Sequence, residues 1–119
     1  MRKITRKGRV RKADKAFSVY IRQRDHALVG HCTFCPKPIE CCFHFVTRSK
    51  YATRWDPANC VGSCFGCNYL YESNPHQFIN WYIKKHGLEG YQDLIRRSHE
   101  ITKFSDDDLL DIEKKFGGK

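Results

Sequence analysis

The segments HCTFCPKP at residues 31–38 and SCFGCNYL at residues 63–70 each contain a Cys-x-x-Cys motif. The two pairs are Cys32/Cys35 and Cys64/Cys67, and they are separated by 28 residues. This spacing is close to that of a zinc ribbon or a treble-clef knuckle. Zinc prefers four tetrahedral ligands at structural sites, and two intervening residues let both sulfur atoms of a pair face one ion. The pattern therefore predicts one structural Zn²⁺ held by four thiolates. An iron–sulfur cluster is the alternative cofactor.

The composition fits a small domain that benefits from a metal. The chain has 119 residues, of which 40% are hydrophobic, and its mean hydropathy is −0.65. A metal site helps such a polar domain to fold. Seven cysteines are an odd number, and a reducing compartment would keep them out of disulfides. Cys42 and Cys60 are expected to be buried small apolar side chains. No apolar run approaches the about 18 residues that cross a bilayer, so we expect a cytoplasmic protein without a membrane partner.

The charge is concentrated at the N-terminus. The formal net charge is +9, and residues 1–12 contain seven basic side chains and no acidic one. We predict a flexible basic arm over residues 1–11 and a polyanionic partner, most simply DNA. A solubilising disordered tail is the alternative. The arm residues expected to bind nucleic acid are Lys3, Arg6, Lys7, Arg9 and Arg11.

The remaining pattern predicts one α+β domain over residues 12–119. An N-terminal helix is expected from Lys12 to about Arg24, because apolar residues recur there at helical spacing. Its small zinc-stabilised core would span about residues 30–74, and C-terminal helices would span 75–117. The further predicted elements are a strand over 39–46, a turn at 57–59, and helices over 64–72, 75–87, 90–100 and 105–116.

The insert between the cysteine pairs has the residue types of a hydrolytic site. His44 lies on the predicted strand, Asn59 in the turn and Asn68 on the helix that follows Cys67. A strand histidine, a loop asparagine and a metal ligand on the next helix form the ββα-metal arrangement of HNH nucleases. The histidine can take a proton from water, and a divalent metal can stabilise the attacked phosphate and the departing 3′ oxygen. A packed core histidine is the alternative for His44.

The combined motifs over about residues 12–98 resemble the phage NinG (Rap) recombination proteins and related phage HNH endonucleases. The motifs are Phe17-Ser18-x-x-Ile21-Arg22-x-Arg24-Asp25, Cys32-x-x-Cys35, His44-Phe45-x-x-Arg48, Thr53-Arg54-Trp55-Asp56-x-x-Asn59, Cys64-x-x-Cys67-Asn68, Phe78-x-x-Trp81-Tyr82-x-x-Lys85-x-Gly87 and Leu94. The resemblance implies a treble-clef-like HNH core and a phage protein, located in the bacterial host cell, that binds or cuts DNA such as branched recombination intermediates.

The resemblance also implies roles for individual residues. His44 would be the general base, Asn59 the residue that orients it, and Asn68 the replacement for the third histidine of the motif. Arg48 and Arg54 would contact phosphate near the cut. The catalytic ion would be Mg²⁺ or another divalent metal.

Two departures from the family pattern affect this catalytic metal. Related proteins tend to carry Asp three residues before the histidine, where this chain has Cys41. A thiolate is a poor ligand for Mg²⁺ and a better one for Zn²⁺. Glu72 lies four residues after Asn68, on the same helix face, and could supply the missing carboxylate.

Three functions are consistent with these features. The first is a metal-dependent HNH endonuclease that hydrolyses DNA phosphodiesters. The second, favoured by Cys41, is a non-catalytic, zinc-stabilised DNA-binding recombination accessory protein. The third is a protein-interaction adaptor that uses the acidic C-terminal helix.

Overall fold

The computed structural model describes residues 4–117, which form five α-helices and a two-stranded sheet. The α+β class is therefore confirmed. None of the described helices is both long and apolar enough to cross a membrane. In chain order the elements are α1 (Arg6–Leu28), β1 (Cys41–His44), α2 (Tyr51–Arg54), a 3₁₀ turn (Pro57–Asn59), β2 (Cys60–Ser63), α3 (Phe65–Ser73), α4 (His76–Ser98) and α5 (Asp106–Gly117).

The sheet is a short antiparallel pair. Cys41 lies opposite Ser63, and His44 lies opposite Cys60. The predicted strand over 39–46 is too long, because the residues after His44 leave the ladder. The Phe45 N–H donates to the Asn59 carbonyl (2.9 Å), and Val46 bonds to the Asn59 side chain.

The two faces of the sheet pack on different aromatic clusters, as the alternation of side chains along a strand requires. Phe43 joins a cluster with residues of α4, and its other buried members are Phe45, Val46, Val61, Phe78, Tyr82 and Leu94. Cys60 joins a second cluster, with Ala13, Phe17, Ile21, Trp55 and Leu109. Cys42 packs against this second cluster.

The prediction of a flexible arm over residues 1–11 is wrong for residues 6–11, because α1 begins at Arg6. The Thr5 side chain caps the helix by accepting from the Gly8 N–H (3.0 Å). Helix α5 packs along α1, and Asp106 lies 3.4 Å from the Arg6 guanidinium. This packing partner is far away in the sequence, so local composition did not reveal it. Lys3 lies outside the described residues.

Side chains in the C-terminal half of α1 are hydrogen-bonded to the second strand and to the turn before it. Asp25 is buried and accepts from the Gly62 N–H (2.7 Å). Arg24 donates to the carbonyls of Cys60 (2.8 Å) and Pro57 (3.1 Å). These contacts give the Arg24-Asp25 motif a structural role next to the Cys60–Ser63 strand.

Two residues explain local features of the C-terminal helices. Gly87 interrupts α4 with a φ of 81°, a conformation that favours glycine. Ser105 caps the last helix, because its N–H donates to Asp108 (2.9 Å) and the Asp108 N–H donates to the Ser105 hydroxyl (3.1 Å).

Candidate metal centre and active site

The four cysteines of the two Cys-x-x-Cys pairs come together. Their sulfur atoms all lie within 4.8 Å of one another. Cys35 Sγ is 3.6 Å from Cys64 Sγ and 3.8 Å from Cys67 Sγ. A zinc–sulfur bond of about 2.3 Å in a tetrahedron places sulfur atoms about 3.8 Å apart. The cluster could therefore hold a metal ion such as Zn²⁺, as the spacing of the cysteines predicted.

The backbone around the sulfur atoms supports this role. The Phe34 N–H donates to Cys32 Sγ and the Cys67 N–H donates to Cys64 Sγ, both at 3.4 Å. Burial raises the pKa of Cys64, but the hydrogen bonds from Cys67 and the neighbouring thiols outweigh it and lower the pKa to about 7. Burial and the same shared hydrogen bonds raise the pKa of Cys67, so the thiols of this cluster share their protons unequally. The two backbone N–H donors are therefore the feature that favours thiolates, the form in which cysteine binds zinc.

A second site lies in a cavity of about 700 Å³ between α1, β1 and α3. Five residues singled out in the sequence line this cavity: Cys41, His44, Arg48, Asn68 and Glu72. Tyr71 helps to hold its helical wall against the strand, because its hydroxyl donates to the Phe45 carbonyl (2.6 Å). The fold thus brings residues from three separate segments to one solvent-accessible space.

The tautomer of His44 follows from its hydrogen bond. His44 Nε2 lies 3.0 Å from the Arg54 carbonyl oxygen, which can only accept. Nε2 therefore carries the proton, and Nδ1 keeps its lone pair. Burial lowers the pKa of His44, against the opposing effect of this hydrogen bond. The ring is thus neutral near pH 7, the form that a general base needs.

Asn59 lies outside the cavity and braces the loop behind His44. Its side chain is fully buried and accepts from the Val46 N–H (2.8 Å). Its amide donates to the Val46 and Thr53 carbonyls, both at 3.1 Å. The asparagine therefore joins the segment after β1 to helix α2 (Tyr51–Arg54), whose last residue supplies the Arg54 carbonyl. It is a positioning residue.

The helical wall contributes oxygen atoms to the cavity. Asn68 and Glu72 are one turn apart on α3 and both line the cavity. The Cys41 thiol instead lies 3.5 Å from both the carbonyl and the hydroxyl of Ser63. Burial raises the pKa of Cys41, so the thiol stays protonated near neutral pH. The oxygen donors suit Mg²⁺ or Mn²⁺, and the thiol does not.

No family model, curated protein or solved structure matches this chain. The HNH resemblance therefore remains a prediction from the motifs.

The two predicted phosphate-binding arginines differ in their surroundings. Arg48 is exposed and lines the cavity. Arg54 is absent from the cavity wall, and its guanidinium donates to Asp14 at 2.6 and 3.0 Å. A phosphate contact by Arg54 would require it to leave this carboxylate.

Asp14 is a site residue that the sequence reasoning missed. It lines the cavity, pairs with Arg54 and accepts from the Trp55 indole N–H (2.9 Å). The signal was present, because Asp14 is the only acid in residues 1–24 and lies three positions before the apolar Phe17. An isolated acid bordering the apolar face of a basic helix indicates a specific partner.

Proposed function

We propose that this protein is a metal-dependent DNA endonuclease of the HNH type. The observation that carries the proposal is the placement of His44, whose Nε2 lies 3.0 Å from the Arg54 carbonyl oxygen, in a cavity shared with Asn68 and Glu72. This contact assigns the proton to Nε2 and leaves the Nδ1 lone pair for a proton from water. In this proposal β1, β2 and α3 would form the ββα-metal core, and the four-cysteine cluster would hold a structural Zn²⁺. A phage origin and branched recombination intermediates as substrates are part of the same proposal.

The chemistry assigned to the chain is hydrolysis of a phosphodiester. His44 Nδ1 accepts a proton from water, whose oxygen attacks phosphorus, and the P–O3′ bond breaks. The departing 3′ oxygen takes a proton from solvent, so the products are a 5′-phosphate and a 3′-hydroxyl. Asn68 and Glu72 would hold a divalent ion, which supplies charge stabilisation to the phosphate when bound. Asn59 would act indirectly. Its hydrogen bonds hold the end of helix α2, and the Arg54 carbonyl at that end orients the imidazole.

A basic stripe on α1 suggests how DNA reaches this cavity. Lys7 and Arg11 are exposed, and helical spacing puts them on the side of α1 that carries Asp14 and Ser18, which line the cavity. Arg48 adds a positive charge at the cavity itself. DNA phosphates along this stripe would lie next to the general base.

One experiment tests the path. Lys7→Ala and Arg11→Ala should each reduce the salt dependence of duplex binding, with the slope of log K against log salt falling by about 0.9 per lost phosphate contact. Lys84→Ala is the matched control, because Lys84 is exposed on α4. Equal effects of all three substitutions would mean that the α1 stripe is not the DNA path.

A non-catalytic DNA-binding accessory protein is the second candidate. The observation in its favour is the Cys41 thiol, which lies 3.5 Å from the carbonyl and the hydroxyl of Ser63 and occupies the position where related proteins tend to carry Asp. A catalytic metal would then depend on the oxygen atoms of Asn68 and Glu72. Such a protein would keep the basic stripe and the four-cysteine cluster without hydrolysing DNA.

Cleavage assays separate the two candidates. Purified protein is incubated with plasmid and with branched DNA in Mg²⁺, Mn²⁺, Ni²⁺ or Zn²⁺, beside His44→Ala. The control is His99→Ala, which removes an exposed histidine after α4. An endonuclease loses cleavage in His44→Ala and keeps it in His99→Ala. Binding without cleavage in every metal would instead identify the accessory protein.

A further inference from the structure

A second group of metal-ligating side chains lies on the sheet face that packs against α1. Among the described residues 4–117, Cys42, His44 and Cys60 place one ligand atom each within 4.8 Å of one another. The pairing of β1 with β2 explains the grouping, because His44 lies opposite Cys60 and Cys42 precedes His44 by two residues on the same face. None of the three belongs to the four-cysteine cluster.

The ligand types select a thiophilic ion. Two thiolates and an imidazole suit Zn²⁺ and similar soft divalent metals, and they disfavour Mg²⁺. A metal-ligating histidine commonly donates its other ring N–H to a backbone carbonyl. His44 already does so through Nε2 and the Arg54 carbonyl at 3.0 Å, which leaves the Nδ1 lone pair available.

The surroundings are compatible with a bound ion. Cys60 is buried with Phe17 and Trp55, where an isolated charge would be costly. Zn²⁺ with two thiolates and a neutral imidazole has no net charge, so burial of the complete site avoids that cost. Cys42 and His44 also line the cavity of about 700 Å³, from which water or a phosphate oxygen could supply the fourth ligand.

We propose that Cys42, His44 and Cys60 bind a second thiophilic divalent ion, such as Zn²⁺. A tetrahedral site needs ligand atoms about 3.3–3.8 Å apart, so side-chain movements of about 1 Å close the present group around an ion. A consequence, which rests on the proposed function, is that excess zinc inhibits DNA cleavage. An ion bound to His44 Nδ1 occupies the atom that accepts the proton from water.

Metal stoichiometry tests the site without any reference to catalysis. The reduced full-length protein is titrated with Co²⁺, and thiolate–cobalt absorption and bound metal are measured together. We expect two ions per chain in the wild type and one in Cys42→Ser, Cys60→Ser and His44→Ala. Cys41→Ser is the matched control and should keep two, because Cys41 lies on the same strand outside the group.

Several outcomes would overturn the proposal. One ion per chain in the saturated wild type would exclude a second site. Retention of two ions by Cys42→Ser would show that Cys42 is not a ligand of the second ion and would exclude the proposed ligand set. Because Cys60 is buried and its replacement could unfold the domain, the half-buried Cys42 and His44 provide the deciding variants, each checked by circular dichroism.

The inhibitory consequence is measured separately. Cleavage in Mg²⁺ with one equivalent of Zn²⁺ already bound should stop as further Zn²⁺ is added, and Cys42→Ser should need at least about 10-fold more Zn²⁺ for half-inhibition. An equal requirement in both proteins would refute inhibition through this site. Absence of all cleavage would refute the proposed nuclease while leaving the metal stoichiometry as an independent result.

Discussion

Replacement of Asn59 by alanine tests the interpretation of this residue as the brace behind His44. The side chain is fully buried and makes three hydrogen bonds, to the N–H and carbonyl of Val46 and to the carbonyl of Thr53. Alanine would leave three backbone groups without this partner in the protein interior. At about 1 kcal/mol for each bond, the expected loss of folding free energy is about 3 kcal/mol.

Urea and thermal unfolding of the zinc-loaded protein measure this loss. A change of about 3 kcal/mol should lower Tm by about 10 °C in a domain of this size. Asn80→Ala is the control, because Asn80 is exposed on α4 and its replacement should change stability by less than about 0.5 kcal/mol.

Asn59→Asp refines the test of hydrogen bonding against volume. The carboxylate keeps the shape and the acceptor for the Val46 N–H, but it turns an oxygen toward two carbonyl oxygens. It should be at least as destabilising as alanine near neutral pH. If both variants have the same urea midpoint and Tm as the wild type, the buried amide does not stabilise the segment between β1 and α2. The explanation of the His44 orientation would then be wrong.

Three further predictions follow from the site. Cys64→Ser should lose the structural metal and unfold the domain, since zinc binding by such clusters contributes about 10 kcal/mol to folding. The control Cys41→Ser should stay folded. Metal analysis measures the bound ion, and circular dichroism measures the folding of both variants. For His44, burial lowers the pKa below its ordinary value of 6.5, so the unfolded chain binds more protons below that pH. Stability should therefore fall as pH decreases through and below about 6.5, and urea titrations of His44→Gln should show a smaller fall. Asp14→Asn should cost about 2 kcal/mol, because its ion pair is largely buried, whereas Asp106→Asn breaks a pair that is 51% and 57% exposed and should cost less than about 0.5 kcal/mol.

The last three predictions have clear contradicting results. A folded, metal-free Cys64→Ser protein would refute the structural role of the four-cysteine cluster. An unchanged pH dependence in His44→Gln would mean that another group is responsible for it. Equal stability losses in the two aspartate variants would show that the pair between Asp14 and Arg54 is no more important than a surface contact.

Local sequence signals predicted the parts of the fold that depend on near neighbours. The helix over 64–72 is observed as Phe65–Ser73, with Cys64 as its N-cap, and the predicted helix end at Gly87 is observed as an interruption of α4. The last helix, predicted over 105–116, is observed as Asp106–Gly117, and Ser105 caps it. These features arise within a few residues of chain, where capping and glycine conformation act.

Features that depend on distant partners were missed or wrong. Residues 6–11 belong to a helix that packs along α5, and the chain that follows β1 is hydrogen-bonded to the Asn59 side chain. The pairing of Arg54 with Asp14 joins residues 40 positions apart, so the isolated acid in residues 1–24 indicates that a partner exists but does not identify it. In each case the deciding contact is tertiary.

The sequence by itself identified the four cysteines that come together and could hold a metal ion, because the Cys-x-x-Cys spacing fixes which sulfur atoms can face one ion. It also named His44, Asn68 and Glu72 as residues of one site. Only the tertiary structure decided which ring nitrogen of His44 is free, that Cys41 bonds to Ser63, and that Cys42 and Cys60 meet His44. Those facts depend on strand register and on carbonyl groups contributed by other segments, and neither is encoded in the spacing of a motif.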